Sequence, residues 1–142
     1  VTNKIHTLEF REIMQIGSNW DRISRCYIND YSEILESGLP YFLSLNKKIS
    51  YNRAITMLYM NYLCKDFDSH LSRKFGSEKA KKVMKKGQLI QKSLNLRRNS
   101  DFELIKLDKY LKVFHYNPGT CADLTVTTLL INKIRDIFKF PI

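Results

Sequence analysis

The chain is poor in residues that break helices. Five glycines and three prolines in 142 residues are too few for a turn-dense β-sandwich or barrel and favour long helices. Its three cysteines, Cys26, Cys64 and Cys121, form no CxxC pair and no even framework. That excludes a disulfide scaffold and reads as reduced thiols in a cytoplasmic protein. No Cys/His pair has the spacing of zinc ligands. No apolar run is long enough to cross a membrane, and the start, Val1-Thr2-Asn3-Lys4, lacks a signal-peptide pattern. GxxxxGK[ST], GxGxxG and GxSxG are all missing, as is the adjacent His-Asp pair of metal-dependent phosphohydrolases. Those templates for phosphate, dinucleotide and ester chemistry therefore do not apply.

What is present is helical periodicity and positive charge. Hydrophobic residues make up 44% of the chain, enough for a globular core. Trp20, Ile23, Tyr27, Tyr31, Ile34 and Leu35 form one apolar stripe, with a stop expected near Ser37-Gly38. Leu39-Pro40 restarts a short apolar segment through Leu45. Ser50 is the expected N-cap of a helix carrying Ala54, Ile55, Leu58 and Tyr62. Met57, Met60 and Leu63 make that helix apolar nearly all round, hence central. A further helix is expected from Ser77, with Ala80, Val83, Met84, Gly87, Ile90 and Leu94 on one face. Asn95 to Asn99 reads as a polar connection. Ser100 with Glu103 makes a capping box before Leu104, Leu107, Leu111 and Phe114. The last helix should run from about Thr120 to about Phe138, with Leu124, Thr127, Ile131, Ile134 and Phe138 inward. Ile5 to Ile16 is the expected first helix, ended by Gly17-Ser18-Asn19. The sum is one all-α domain over residues 1–142, a bundle of about six helices with short connections.

The charge balance is +10, from 24 Lys+Arg against 14 Asp+Glu. It suits an anionic partner such as nucleic acid, a membrane surface or a phosphate-rich small molecule. Lys79, Lys81, Lys82, Lys85 and Lys86 lie between inward positions and read as the solvated face of an amphipathic helix. They imply no specific nucleic-acid recognition, since no arginine or aromatic residue is interleaved with them.

Two stretches could carry chemistry. In Asp66-Phe67-Asp68-Ser69-His70-Leu71-Ser72-Arg73-Lys74-Phe75-Gly76, carboxylates one residue apart could share a divalent ion such as Mg²⁺. Arg73 and Lys74 could neutralise phosphate oxygens. The competing reading makes Asp68 or Ser69 a helix cap and leaves the cations solvated. In Asn117-Pro118-Gly119-Thr120-Cys121-Ala122-Asp123-Leu124, a tight turn opens into a helix. Thr120 is a candidate cap, and the helix start is a ready anion site.

These stretches carry a resemblance. Asn117 to Leu124 resembles the Asn-Pro-Gly-(small)-(small)-Ala-Asp-Leu motif of the triphosphoribosyl-dephospho-CoA synthase (CitG-like) family. Asp68-Ser69-His70, then Arg73-Lys74-Phe75-Gly76, resembles that family's upstream segment, closest to archaeal-type relatives. Ser37-Gly38-Leu39-Pro40 and Asn52-Arg53-Ala54-Ile55 fit the same order of elements. The resemblance spans most of the chain, but its Asn-Pro-Gly motif alone is distinctive. The family's Lys-Pro-Gly and His-Lys-Gly segments do not occur here. The chain is therefore expected to correspond to the C-terminal half of such a protein, needing an N-terminal half or a homo-oligomer partner to turn over. Cys121 stands where the family commonly has Thr or Ser.

The resemblance implies transfer of the triphosphoribosyl group of ATP to 3′-dephospho-CoA with loss of adenine. It implies Asp123 and Asp68 as catalytic or Mg²⁺-binding carboxylates. Asn117, Gly119, Thr120, His70, Arg73 and Lys74 are the implied phosphate- and substrate-binding groups. The alternative is a non-catalytic basic helical module that binds a protein partner or nucleic acid.

Overall fold

The computed structural model describes residues 8–96 and 101–139. Its helices, in chain order, are α1 (Phe10–Gly17), α2 (Arg22–Ile28), a π-helical segment (Glu33–Gly38), α3 (Leu39–Asn46), α4 (Tyr51–Lys65), α5 (Ser69–Phe75), α6 (Ser77–Leu96), α7 (Asp101–Val113) and α8 (Gly119–Phe138). No strand occurs among the described residues, so the all-α expectation holds. The central role read from α4 also holds, since this helix packs against α3, α6 and α8. Its Ala54, Leu58, Met60, Tyr62 and Leu63 are buried in one apolar cluster with Phe42, Leu71, Val83 and Leu124. Ser50 caps α4 as expected, its hydroxyl accepting from the Arg53 N–H at 3.3 Å.

Among the described residues the bundle has eight α-helices, close to the expected six or so, and two of the expected stretches divide. The stripe from Trp20 to Leu35 is not one helix. Trp20 is exposed and precedes α2, whose N-cap is Asp21, accepting from the Ser24 N–H at 3.0 Å. α2 then ends in a Schellman motif. Tyr31 N–H reaches back to the Cys26 carbonyl and Asp30 N–H to that of Tyr27, with Asp30 at φ 53° and Tyr31 at φ 58°. The second division is α5, which forms its own short helix between Asp68 and Gly76. Gly76 sits at φ 92°, in the region that favours glycine.

Ser37-Gly38 does not stop a helix, contrary to the expectation. Gly38 is helical at φ −64° and the π segment runs straight into α3. Leu39 N–H donates to the Ile34 carbonyl, the i→i−5 bond of a widened turn. Pro40, near the start of α3, has no N–H to offer the preceding turn, which fits that widening. The glycine is needed for space. A Cβ on Gly38 would lie 1.9 Å from the Tyr62 hydroxyl, which shares a 2.6 Å hydrogen bond with Thr128. Gly87 similarly lets α6 approach α4, since a Cβ there would lie 3.3 Å from Leu63.

α8 has the expected length, with Leu124 buried and Ile131 packed on the core as expected, but the rest of the expected face is only partly inward. Cys121, Leu124, Thr125 and Thr128 are buried, while Ile134 and Phe138 are exposed. Thr125 and Thr128 can turn inward because their hydroxyls donate to the carbonyls of Cys121 and Leu124, four residues back. Residues 5–7 of the expected first helix and Ser100 of the expected capping box lie outside the described residues.

Gly38→Ala should destabilise the fold by about 1–3 kcal/mol, the usual cost of overpacking a closed core. Urea denaturation followed by circular dichroism checks this, and a midpoint equal to that of the parent chain would refute the close-contact account.

Candidate functional site

The two stretches singled out by sequence meet at the N-termini of α5 and α8. Asp68 is the junction. One carboxylate oxygen accepts the Leu71 N–H at 3.0 Å and so caps α5. The other accepts the Cys121 N–H at 2.8 Å, in the first turn of α8. A single carboxylate thus serves two helix starts, where the backbone donors and both dipoles favour negative charge. Alongside, His70 N–H donates to the Thr120 hydroxyl at 3.2 Å. The His70 ring lies so close to Gly119 that a Cβ there would approach its Cγ to 3.3 Å. Thr120 is therefore not the N-cap of its own helix: α8 begins at Gly119 after Pro118 and has no side-chain cap at that position.

Asp68 is 1% exposed, and each of its oxygens is engaged by a backbone donor. This is the helix-cap arrangement, and its carboxylate faces the protein rather than solvent. Asp123 is exposed. It lies two positions beyond Cys121, and residues i and i+2 of a helix do not share a face. No group of three or more His, Cys, Asp or Glu side chains among the described residues could hold a metal. His70 is half-buried, whereas Arg73 and Lys74 are exposed at the end of α5. Asn117 is exposed and lines a cleft of about 450 Å³ with Tyr59, Lys112, His115 and Tyr116.

Sequence reading missed the second half of the junction, Arg22. It is 1% exposed and among the largest fully buried side chains. Its backbone N–H donates to the Ser69 hydroxyl at 2.7 Å, one residue from Asp68. Its guanidinium donates to the Tyr62 and Asp66 carbonyls at 2.9 and 3.1 Å and pairs closely with Glu33. Burial alone would lower the Arg22 pKa, but the hydrogen bond and charge of Glu33 outweigh it, and the net direction is up. Glu33 reaches this pairing from the π segment and lines a mixed-charge cleft of about 510 Å³ with Arg25, Glu36, Lys65 and Asp66. The available signal was the i, i+4 pair Arg22–Cys26, one residue off the stripe chosen through Ile23 and Tyr27.

Cys121 sits between the two charges. Its thiol is buried and accepts from Arg22 at 3.9 Å. Burial first, then the Asp68 charge, push its pKa up. The exchange of a hydroxyl for a thiol at this position therefore faces the core and not a solvent-side anion pocket.

An all-helical fold whose two motifs close on the start of α8 defines the class, and comparisons supply the family. The model of the CitG family, ATP:dephospho-CoA triphosphoribosyl transferase, matches residues 2–141, and the chain belongs to that family. The fold is similar to the crystal structure of a protein from Archaeoglobus fulgidus assigned as a triphosphoribosyl-dephospho-CoA synthase. The identity is 26% and the TM-score 0.71, over 86% of this chain and 50% of that one. The match thus spans about half the length of that relative. No curated protein matches the chain significantly. Among the described residues, no helix is long and apolar enough to cross a membrane.

Asp68→Ala should remove two caps and cost about 1–4 kcal/mol, at roughly 0.5–2 kcal/mol for each. Asp68→Asn keeps one acceptor and should lose about half as much. Equal stability of all three chains in urea would refute the double-cap role.

The thiols predict an alkaline limit. Burial raises Cys26 and Cys64 from 9.0 to about 11. A group whose folded pKa is raised stabilises fully below its unfolded pKa and loses that contribution as pH rises through the folded value. Thermal melts should hold up to pH 9.0 and fall toward pH 11. Cys26→Ala/Cys64→Ala should show a shallower fall over that window.

Proposed function

We propose that this chain forms one half of the active site of a transferase that moves the triphosphoribosyl group of ATP to the ribose 2′-hydroxyl of 3′-dephospho-CoA, releasing adenine. The observation that carries the reading is the junction itself. The hydrogen bonds from Cys121 to Asp68 and from His70 to Thr120 join the two stretches that resemble the family's motifs.

Glycosyl transfer passes through an oxocarbenium-like state. A carboxylate near the reacting carbon can stabilise that charge or accept the proton of the attacking hydroxyl. Asp123 is the carboxylate free for this role, being exposed one turn into α8. Asp68, spent on two helix starts, acts as a positioning residue that holds Gly119 to Asp123 in place. Asn117 lies in the turn and His70 against Gly119, while Arg73 and Lys74 are exposed at the other end of α5; these are the candidates for polar and cationic contacts to phosphates. The residues present do not build a Mg²⁺ site by themselves. Any such ion would enter on the triphosphate, with Asp123 as its available protein ligand.

The second half of the site belongs on the face that carries Asp123. Val126, Leu130, Ile134 and Ile137 follow Asp123 at helical spacing along α8, and all are exposed. An apolar stripe of this length on a charged protein marks an interaction surface. The Archaeoglobus relative has about as much chain again beyond the matched region. We assign this face to a complementary family half, supplied within a longer chain or by a partner.

Adenine release from ATP in the presence of 3′-dephospho-CoA tests the reading, with the chain joined to a complementary family half. Asp123→Asn should lower the rate by about 100-fold or more while leaving the melting temperature unchanged. Full activity in Asp123→Asn would remove Asp123 from the chemistry.

A further inference from the structure

The lysines of α6 do not simply face open solvent. Lys79, Lys82, Lys85 and Lys86 line a groove of about 510 Å³ whose other lining residues are Leu89 and the aromatic rings of Tyr110, Phe114 and Tyr116. No carboxylate lines it, and no ion pair engages these four lysines among the described residues. Lys79, Lys82 and Lys86 follow i, i+3, i+7 spacing on one face, spanning about 10 Å at 1.5 Å per residue. That is close to the Debye length in physiological salt, so their mutual repulsion is only partly screened. A polyanion in the groove would relieve it.

The aromatic side is built by the end of α7. Tyr116 N–H bonds the Leu111 carbonyl and His115 N–H that of Lys112, with His115 at φ 55°, which makes a second Schellman motif. The turn brings the Phe114 and Tyr116 rings into a stack, 5.5 Å between centroids and 18° between planes. Tyr110 also lies against Phe114, 5.0 Å between centroids at 55°, yet Phe114 is 51% exposed, so part of its ring stays accessible. Lys86 lies 4.5 Å from the Tyr110 centroid, holding its ammonium at the boundary of the two sides. Tyr116 also lines the cleft that contains Asn117, so the groove adjoins the Asn-Pro-Gly turn.

We propose that this groove is a binding site for a nucleoside polyphosphate. Its phosphates lie along Lys79, Lys82 and Lys86, and its base stacks on Phe114. The groove is short and its lysine row ends at Leu89, which suits a single nucleotide better than a strand tracking along a basic channel. The site is distinct from the Asp68–Cys121 junction, and binding there requires no transfer chemistry.

Calorimetric titration of the intact chain with ATP and with inorganic tripolyphosphate, at low salt, tests this. Both should bind. Lys82→Glu/Lys86→Glu should weaken both by roughly tenfold or more, and binding should fall steeply with added salt. Phe114→Ala should weaken ATP by about tenfold and leave tripolyphosphate unchanged. These positions are exposed, and an unchanged melting temperature confirms the fold in each variant. ATP affinity unaffected by the lysine reversal would overturn the proposal, as would equal loss of ATP and tripolyphosphate in Phe114→Ala. A single-stranded oligonucleotide that binds the groove and is not displaced by ATP would overturn it in favour of nucleic acid. Asp123→Asn should retain ATP binding here, so failure of the transfer reading and failure of this one are read separately.

Discussion

One buried carboxylate organises the molecule. Asp68 lies within hydrogen-bonding reach of two helix starts fifty residues apart in sequence, and both depend on it for a partner to an otherwise orphaned N–H. Each start contributes backbone donors and a positive dipole end, so the carboxylate's oxygens find partners away from water. The consequence is geometric. α5 and α8 are fixed end to end, so the Asn-Pro-Gly turn, the His70 backbone and the first turn of α8 cannot move independently.

Arg22 completes this arrangement from the other side. Its guanidinium reaches α4 carbonyls, the Glu33 carboxylate and the Cys121 sulfur, while its backbone N–H binds Ser69. A buried cation is tolerated because nearly every donor has an acceptor. Glu33 can reach it because the π segment follows the left-handed Asp30 and Tyr31 and carries its side chain toward α2. Gly38 then lets the same segment pass under Tyr62. The widened turn, the glycine and the ion pair form a single local solution to packing a charged group beside α4.

Much of this was legible in the residues. α4 declared itself by apolar residues on every face, α6 by its spacing, and Ser50 by its capping chemistry. The helix-cap reading of Asp68 was open in the sequence, but its second partner was not, because nothing local connects Asp68 to Cys121. Gly38 misled because glycine marks both helix ends and close contacts, and only the position of Tyr62 distinguishes the two. Leu124 and Ile131 of α8 face the core as read, but Thr125 and Thr128 were not legible as inward until their hydroxyls are seen to donate to carbonyls one turn back. Lysines on α6 read as solvated because the aromatic residues opposite them come from α7 and the turn after it, about thirty residues later in the chain.

The separation of duties between the two aspartates follows from desolvation. A carboxylate at 1% exposure whose two oxygens each accept a backbone N–H is turned into the protein and away from any substrate. Chemistry on a sugar needs a carboxylate that water and substrate can reach. Asp123 is open to solvent because Cys121 turns inward to Arg22, and the helix twist carries the residue two positions later to the opposite side, which is what the proposed role requires. The buried junction therefore determines which carboxylate is presented. In the proposed transferase, the exposed apolar residues beyond Asp123 are where a covering surface would exclude water around it.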